Sequence, residues 1–483
     1  MKENKYIYLM VFLYNFAVML IEIAAARLLA PYVGTSYIIW VIIIGIVMTA
    51  LSIGNIIGGK IADKNKDFKL SRLLIILTLF IFFITNSKIF LEVIAFLNIS
   101  IAIKALIISI VMFAFPNVIF GILSPYIFNM KIKNNETKGQ DLGKLNAIGT
   151  LGSLFGTFLT GFLILPLFGT INAFFVAQIA VFIMLVITFK REEQKYTKMI
   201  CAILTFIIIA VVTHNIKPLY KDNKLVYDTD SLYNRIIVQD IENKSGKIFR
   251  TVRTDNLGIQ TMLDLNAADK LQAKYLQLYD LYNVYNKDAK EFLMLGGGAY
   301  SYPVYFTNKY NKNIDVVEID KKFTEIAKKY FQLKDESKIT TYNKDAREYI
   351  RYTDKKYDVI FNDCFLSINV PIHLTTIEFN KSIKDRLNED GIYMTNIVSK
   401  PNSFMFKSMI KTIKSVFNYV TVYKVNLEKT DSQIQNIIVV GHNSNKKEDD
   451  YLEKNIINVD SKEAKIITDD KNFIDILGSL MLI

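Results

Sequence analysis

Cysteine is nearly missing from this chain: Cys201 and Cys364 are the only two among 483 residues. One lies in an apolar run and the other beside an expected strand end, which excludes a disulfide framework and a cysteine-ligated metal centre. Histidine is almost as scarce. His214, His373 and His442 stand far apart in sequence without metal-ligand spacing, so no metal is expected. The third glycine of the dinucleotide fingerprint is missing too, because Gly296 and Gly298 are followed by Ser301 where it should stand. A dinucleotide with its pyrophosphate is therefore disfavoured.

What the chain has in abundance is apolar length. Runs at 7–30, 37–59, 71–86, 105–129, 145–168 and 171–189 approach or exceed the length needed to span a bilayer, and a seventh, 199–213, holds 15 residues. Lysine and arginine gather in alternate loops, at 60–72, 131–144 and 190–198, while Leu165–Thr170 carries no charge. The basic loops and the N-terminus should face the cytoplasm. Much of the net charge of +12 is thereby explained by topology, and nucleic-acid binding need not be invoked. The placement of everything after residue 216 rests on 199–213. At about 1.5 Å per residue it reaches about 22 Å, short of a core of roughly 30 Å. It is read as not spanning, which puts the C-terminal half in the cytoplasm of a multi-pass cell-membrane protein.

Within the apolar half, Gly54-x-x-x-Gly58 and Gly152-x-x-x-Gly156 put small residues on one helix face, as close helix packing requires. Pro116, Gly121 and Pro125 interrupt the fourth run and could break it around a cavity. Glu22 and Arg27 are intramembrane charges, read either as an ion pair or as part of a transport path.

The rest of the chain is mixed soluble sequence. Short strands are expected within 225–265 and a helical stretch at 269–286. Strands follow at 291–296, 314–319, 338–342, 357–362 and 391–397, with helices at 300–309, 321–331, 346–352, 375–388 and 402–416, and strand-like runs at 419–425 and 434–441 close the domain. Such alternation predicts a parallel sheet covered on both faces, with ligands beyond the carboxyl ends of the strands. Those ends carry Gly296, Gly297, Gly298, Glu318, Asp345 and Asp363. A glycine turn lets backbone approach a ligand, and an acid closing the second strand suits the two hydroxyls of a ribose, so an S-adenosyl-type nucleoside is expected. Asp320 is most simply an N-cap, and Asp345 opens a capping-box spacing with Glu348. Glu318 and Asp363 have no such simple structural explanation.

These residues resemble a family. Gly296-Gly-Gly298, Val317-Glu-Ile-Asp320, Asp345, Asp363, Gly258-Ile-Gln260 and the run Pro371–Phe379 resemble spermidine synthase (polyamine aminopropyltransferase), in the variety fused behind a multi-span membrane domain. The first two spans, with Glu22, Arg27 and Gly54–Asp63, resemble the fused members as well. The resemblance covers roughly 225–442. It implies an all-α polytopic membrane domain of six or seven spans, then an α/β domain of the Rossmann-like methyltransferase/spermidine synthase fold with a small N-terminal β subdomain. The boundaries read as 1–216 for the membrane domain, 217–268 for the β-rich subdomain, 269–445 for the nucleoside-binding domain and 446–483 for a C-terminal extension.

The resemblance also implies a reaction. An amine attacks the propyl carbon beside the sulfonium of decarboxylated S-adenosylmethionine, a co-substrate, and expels methylthioadenosine. Asp363 matches the acid that takes the amine proton, Glu318 the ribose ligand, Asp345 the adenine-side acid, Gln260 a nucleoside contact, and Tyr275 a tyrosine near the amine. Partners would be the nucleoside, the amine, the lipid bilayer and a second copy of the synthase-like half. Two departures stand out: Ala299 replaces the acid after the glycines, and Asp363-Cys-Phe-Leu366 lacks a second acid. Three readings stay open: an aminopropyltransferase acting on putrescine or another amine, a methyltransferase using intact S-adenosylmethionine, and a non-catalytic transporter or sensor that binds nucleoside or polyamine.

Overall fold

A computed structural model describes residues 2–34, 37–64, 68–97, 99–131, 137–192, 224–254, 258–267, 270–333, 337–364, 371–444 and 450–470. The run 199–213 and Leu366 lie outside them. The chain divides into two compact units, Met1–Leu219 with Thr229–Asn234, and Tyr220–Asp228 with Arg235–Leu482.

The first unit is helical: α1 Lys2–Val33, α2 Tyr37–Lys64, α3 Leu70–Thr85, α4 Lys88–Phe96, α5 Ile101–Ser109, α6 Phe115–Lys131, α7 Lys138–Leu159, α8 Leu165–Phe168 and α9 Thr170–Arg191. Among the described residues, five helices are long and apolar enough to cross a membrane, or six if α3 and α4, bent by 55°, count as one. The expected span at 71–86 is thus half of a bent pair. The prolines and Gly121 do not break the fourth run. Helix continues through it by way of a wider, π-helical turn at Ile110–Ala114, and a second such turn at Thr160–Ile164 precedes Pro166. Proline lacks an N–H and crowds the carbonyl four residues back, and a widened turn just before it accommodates both defects.

Glycine decides the helix contacts. A Cβ on Gly58 would stand 2.6 Å from the Ile122 carbonyl oxygen, and one on Gly121 would stand 2.8 Å from the Gly54 Cα. A Cβ on Gly156 would meet the Phe16 carbonyl oxygen of α1 at 2.7 Å. Backbone touches backbone at these points, so a side chain cannot yield. Gly121→Val is predicted to force α2 and α6 apart at a cost of about 1–3 kcal/mol. Thermal unfolding in detergent tests this, and an unchanged transition would refute the packing.

The second unit opens with a four-stranded sheet in the order β1-β2-β3-β4, from Lys224–Asp230, Arg235–Glu242, Ile248–Arg253 and Thr261–Asp264. Short helical turns run from Lys274 to Tyr285 where one longer helix was expected. The main sheet has seven strands: β5 Phe292–Leu295, β6 Ile314–Val317, β7 Ile339–Tyr342, β8 Tyr357–Asn362, β9 Leu387–Ser399, β10 Tyr419–Lys424 and β11 Gln435–His442. Between them lie α10 Ser301–Tyr310, α11 Lys321–Tyr330, α12 Ala346–Tyr352, α13 Ile377–Asp385 and α14 Phe404–Lys414. The order is β10-β11-β9-β8-β5-β6-β7. The expected all-parallel sheet is corrected here: β9, β8, β5, β6 and β7 are parallel, whereas β11 pairs antiparallel with both β9 and β10. No helix intervenes between β10 and β11, and without a crossover the chain can only return antiparallel.

Period-two alternation sends Leu293 and Leu295 of β5 into one apolar layer and Phe292 and Met294 into the other. All four are buried. Covering both faces leaves the strand ends as the place where backbone and polar groups stay open to a ligand.

Candidate active site

Gly296 ends β5 with φ +86, and a Cβ there would stand 2.6 Å from the Asp363 carbonyl oxygen. Only glycine lets the end of β5 lie against the end of β8. Gly297 is closed in by Val316 and by the Tyr300 ring, at 2.9 and 3.1 Å from where its Cβ would be. Gly298, φ +49, is different: the nearest atom to its missing Cβ is Thr261 Oγ1 at 3.7 Å. The loop is tightly packed at Gly296 and Gly297, and partly exposed with only ordinary contact at Gly298. Gln260, next to Thr261, is partly buried, and its amide donates to Thr254 Oγ1 at 2.7 Å.

Tyr300 carries the loop's strain. It sits at φ 61 in the left-handed region, which costs an ordinary residue roughly 1–2 kcal/mol. Its buried hydroxyl bonds Thr324 Oγ1 of α11 at 3.0 Å and donates to Thr341 Oγ1 of β7 at 3.2 Å, which offsets the cost and props the loop from below. A tyrosine following Gly-Gly-Gly-Ala gave no hint of this in the sequence.

Glu318 lies one residue past β6, rather than within it as expected, and is buried. Its Oε2 accepts the N–H groups of Gly297 and Gly298 at 2.9 and 2.8 Å, and its Oε1 accepts that of Asp320 at 2.9 Å. A carboxylate offers about four lone-pair sites, so one on Oε1 remains for a ligand hydroxyl. Burial pushes its pKa up to about 7 against the lowering effect of these N–H bonds, with the Asp320 charge adding to the rise. Asp320 itself caps α11 by accepting from Lys322 N at 3.0 Å, as expected.

Asp345 caps α12 through Oδ1, which accepts from Arg347 N and Glu348 N at 2.9 and 3.0 Å. Its Oδ2 is 2.8 Å from His373 Nε2. Burial raises this carboxyl, but the His373 ring and the two backbone N–H groups outweigh burial and hold it below its ordinary value.

Asp363 follows β8. The Tyr275 hydroxyl donates to its Oδ2 at 3.0 Å, and Asn396 Nδ2 donates to its Oδ1 at 2.9 Å. Burial raises the Asp363 pKa, moderated by both hydrogen bonds. The Tyr275 phenol is driven well above its ordinary value by burial and by the adjoining carboxylate, so it keeps its proton and acts as a donor. Asn396 escaped the sequence reading; the one signal was a polar Thr395-Asn396 pair inside the apolar β9. Its Oδ1 is buried with no partner among the described residues, an acceptor beside Asp363.

The acids stand at the same edge of the sheet, after neighbouring parallel strands. The Cys364 thiol is pushed far up by burial and then by the charges of Glu318, Asp363 and Asp345. Along the sheet they follow in order, Asp363 after β8, the glycine loop after β5, Glu318 after β6 and Asp345 after β7. Three strand spacings of about 4.8 Å give roughly 14 Å, the reach of a nucleoside with a substituent at its 5′ end. Ala299 is fully buried among Ile236, Val252, Leu263, Phe323 and Ile326, so position 299 offers an ammonium nothing. No cluster of three potential metal ligands occurs among the described residues.

The spermine/spermidine synthase domain family matches residues 278–450. A probable polyamine aminopropyl transferase of Bifidobacterium longum is 29% identical over 220 residues, covering 44% of this chain and 47% of that protein. The chain thus spans about half of that relative's length. A polyamine aminopropyltransferase of Vibrio vulnificus is 26% identical over 219 residues, 44% of this chain and 72% of that one. Among solved structures, a probable spermidine synthase from Corynebacterium glutamicum aligns with 17% identity and a TM-score of 0.44, over 52% of this chain and 97% of its own. Over residues 278–450 this chain is thus similar to the spermine/spermidine synthase domain family, and to polyamine aminopropyltransferases over a comparable length.

Proposed function

We propose that the chain is a membrane-embedded aminopropyltransferase, taking the aminopropyl group of decarboxylated S-adenosylmethionine to an amine. The observation that carries this is Asp363, half-buried just past the end of β8 and held on both oxygens by Tyr275 and Asn396. A free amine is protonated near neutral pH and cannot attack until a base takes its proton. Asp363 accepts that proton, and the raised pKa of a buried carboxyl makes it a better base. The nitrogen lone pair then forms the new C–N bond at the carbon beside sulfur. The C–S bond electrons return to sulfur, leaving neutral methylthioadenosine. Tyr275 and Asn396 fix the carboxylate, and the free Asn396 Oδ1 accepts a second N–H of the amine. Glu318 holds the ribose and Asp345 the base, with Gly298 admitting the chain between them.

The amine is the open part of this proposal. With Ala299 sealed in an apolar cluster, a second ammonium finds no carboxylate there. Each lost charge-assisted contact is worth about 1.5–3 kcal/mol, so putrescine should be a poorer substrate than an amine carrying one charge. The same loss favours the second reading, a methyltransferase using intact S-adenosylmethionine. Incubating purified protein with each labelled nucleoside and a panel of amines, then identifying the product, separates them. Methylated product without aminopropyl transfer would defeat the first reading.

The pH profile of nucleoside binding is a further test. Glu318 has its folded pKa raised from 4.5 to about 7, so the folded chain holds this proton more tightly than the unfolded chain. Its contribution to stability is therefore present at low pH and is lost as pH rises through about 7. The ionised acceptor that ribose hydroxyls need appears over the same interval. Affinity for methylthioadenosine is predicted to rise between about pH 6 and pH 8, and a flat profile would remove Glu318 from the ribose site.

Cytoplasmic placement of the C-terminal half rests on 199–213 not spanning, and on the cytosolic origin of its nucleoside. A cysteine introduced at Asn243 should then resist a membrane-impermeant thiol reagent in intact cells. Rapid labelling with sealed membranes would put this half outside.

A further inference from the structure

Residues 459–469, near the C-terminal end of the described chain, are bound into the second unit. Val459 and Ile467 are buried in the main apolar core. Lys411 Nζ of α14 donates to the Lys462 and Ala464 carbonyls at 2.9 and 2.6 Å. Ile467 N donates to Thr412 Oγ1 at 3.0 Å, and the Ile467 carbonyl accepts from Ile377 N at 2.8 Å. The segment therefore crosses α14 and reaches the start of α13. There Asp469 N donates to Glu378 Oε2 at 3.1 Å.

The Asp469 side chain ends this path beside the nucleoside crevice. Its two oxygens accept Arg347 Nη1 and Nη2 at 2.8 and 2.5 Å, a two-pronged pair. Arg347 Nη1 also donates to the His373 carbonyl at 3.0 Å. The His373 ring then reaches Asp345 Oδ2 at 2.8 Å, and since a carboxylate only accepts, Nε2 carries the proton. Asp345 Oδ1 is already filled by two backbone N–H groups, so Oδ2 holds the lone pair left for a ligand. His373 fills one of the two lone pairs of Oδ2, so its position decides which one is left for a ligand. His373 in turn is held by Arg347, and Arg347 by Asp469.

We propose that Asp469, acting through Arg347 and His373, is a positioning residue that aims Asp345 at the exocyclic amino group of a purine and so sets base selectivity. This rests on the nucleoside reading of the site, with ribose on Glu318 and the base one strand outward on β7. An exposed pair contributes little stability by itself, so the effect should appear in selectivity rather than in folding.

The test compares methylthioadenosine with methylthioinosine, whose 6-oxo group cannot donate, by calorimetry on the full chain in detergent. Wild type should prefer the amino base. Asp469→Asn should shrink that preference about three- to tenfold with an unchanged thermal transition, and Asp469→Glu should restore it. A preference unchanged in Asp469→Asn, where wild type discriminates, overturns the inference and leaves the segment as packing alone. Loss of selectivity that tracks a lowered transition in both variants also overturns it. Wild type binding neither nucleoside would sink the nucleoside reading itself, and the inference with it.

Discussion

Asp363→Asn is expected to lower turnover by about 10²–10⁴-fold while nucleoside binding survives. The change keeps the side chain's volume, and Tyr275 still finds a carbonyl oxygen to donate to. What is lost is the base, because an amide cannot take the proton of an attacking ammonium. Binding survives because Glu318 and Asp345 stand one and two strands beyond the glycine loop, past the ends of β6 and β7. Single-turnover kinetics separates chemistry from binding. Full activity in the variant would defeat the mechanism, and loss of nucleoside affinity in parallel with turnover would show Asp363 to be a binding residue. Tyr275→Phe should act in the same direction but more weakly, since it leaves the carboxylate in place and removes one donor at 3.0 Å.

Glu318→Gln is expected to weaken methylthioadenosine binding by roughly 1.5–3 kcal/mol, about ten- to 150-fold. The structure adds a second effect to this prediction. The carboxylate accepts three backbone N–H groups, and an amide has one acceptor oxygen. Whichever way the amide turns, an NH₂ faces a backbone donor, so the glycine loop loosens and the thermal transition falls. Calorimetry and unfolding should be read together. Unchanged affinity with a lowered transition would leave Glu318 as a clamp on the loop and take it out of the ribose site.

The elements that carry the site were legible because their patterns are local. Phe292–Leu295, Ile314–Val317 and Tyr357–Asn362 are short apolar runs, each closed by glycine or an acid, and a strand buried on both faces demands that pattern. The caps at Asp320 and Asp345 were legible for the same reason, since an N-cap reaches only two or three residues along the chain. The antiparallel return of β11 was not, because strand direction depends on a pairing partner far away in sequence. Nor was the bend of 55° between α3 and α4, which the hydropathy of either half does not encode.

The sequence by itself determined the two-part composition, the order of strands and helices in the second part, and the acids Glu318, Asp345 and Asp363 at strand ends. Periodicity and local hydrogen bonding are properties of neighbouring residues, so they can be read in a line. Only the tertiary structure decided what surrounds those acids. Asn396 and Tyr275 meet at Asp363 across separations of 33 and 88 residues, and Arg347 meets Asp469 across 122. Tyr300 holds a strained backbone because Thr324 and Thr341 happen to lie beneath it. Ala299 is closed off by side chains of the small sheet and of α11. Such partners are chosen by packing and by the need to satisfy buried polar groups, and both are settled only when the sheet brings distant segments together.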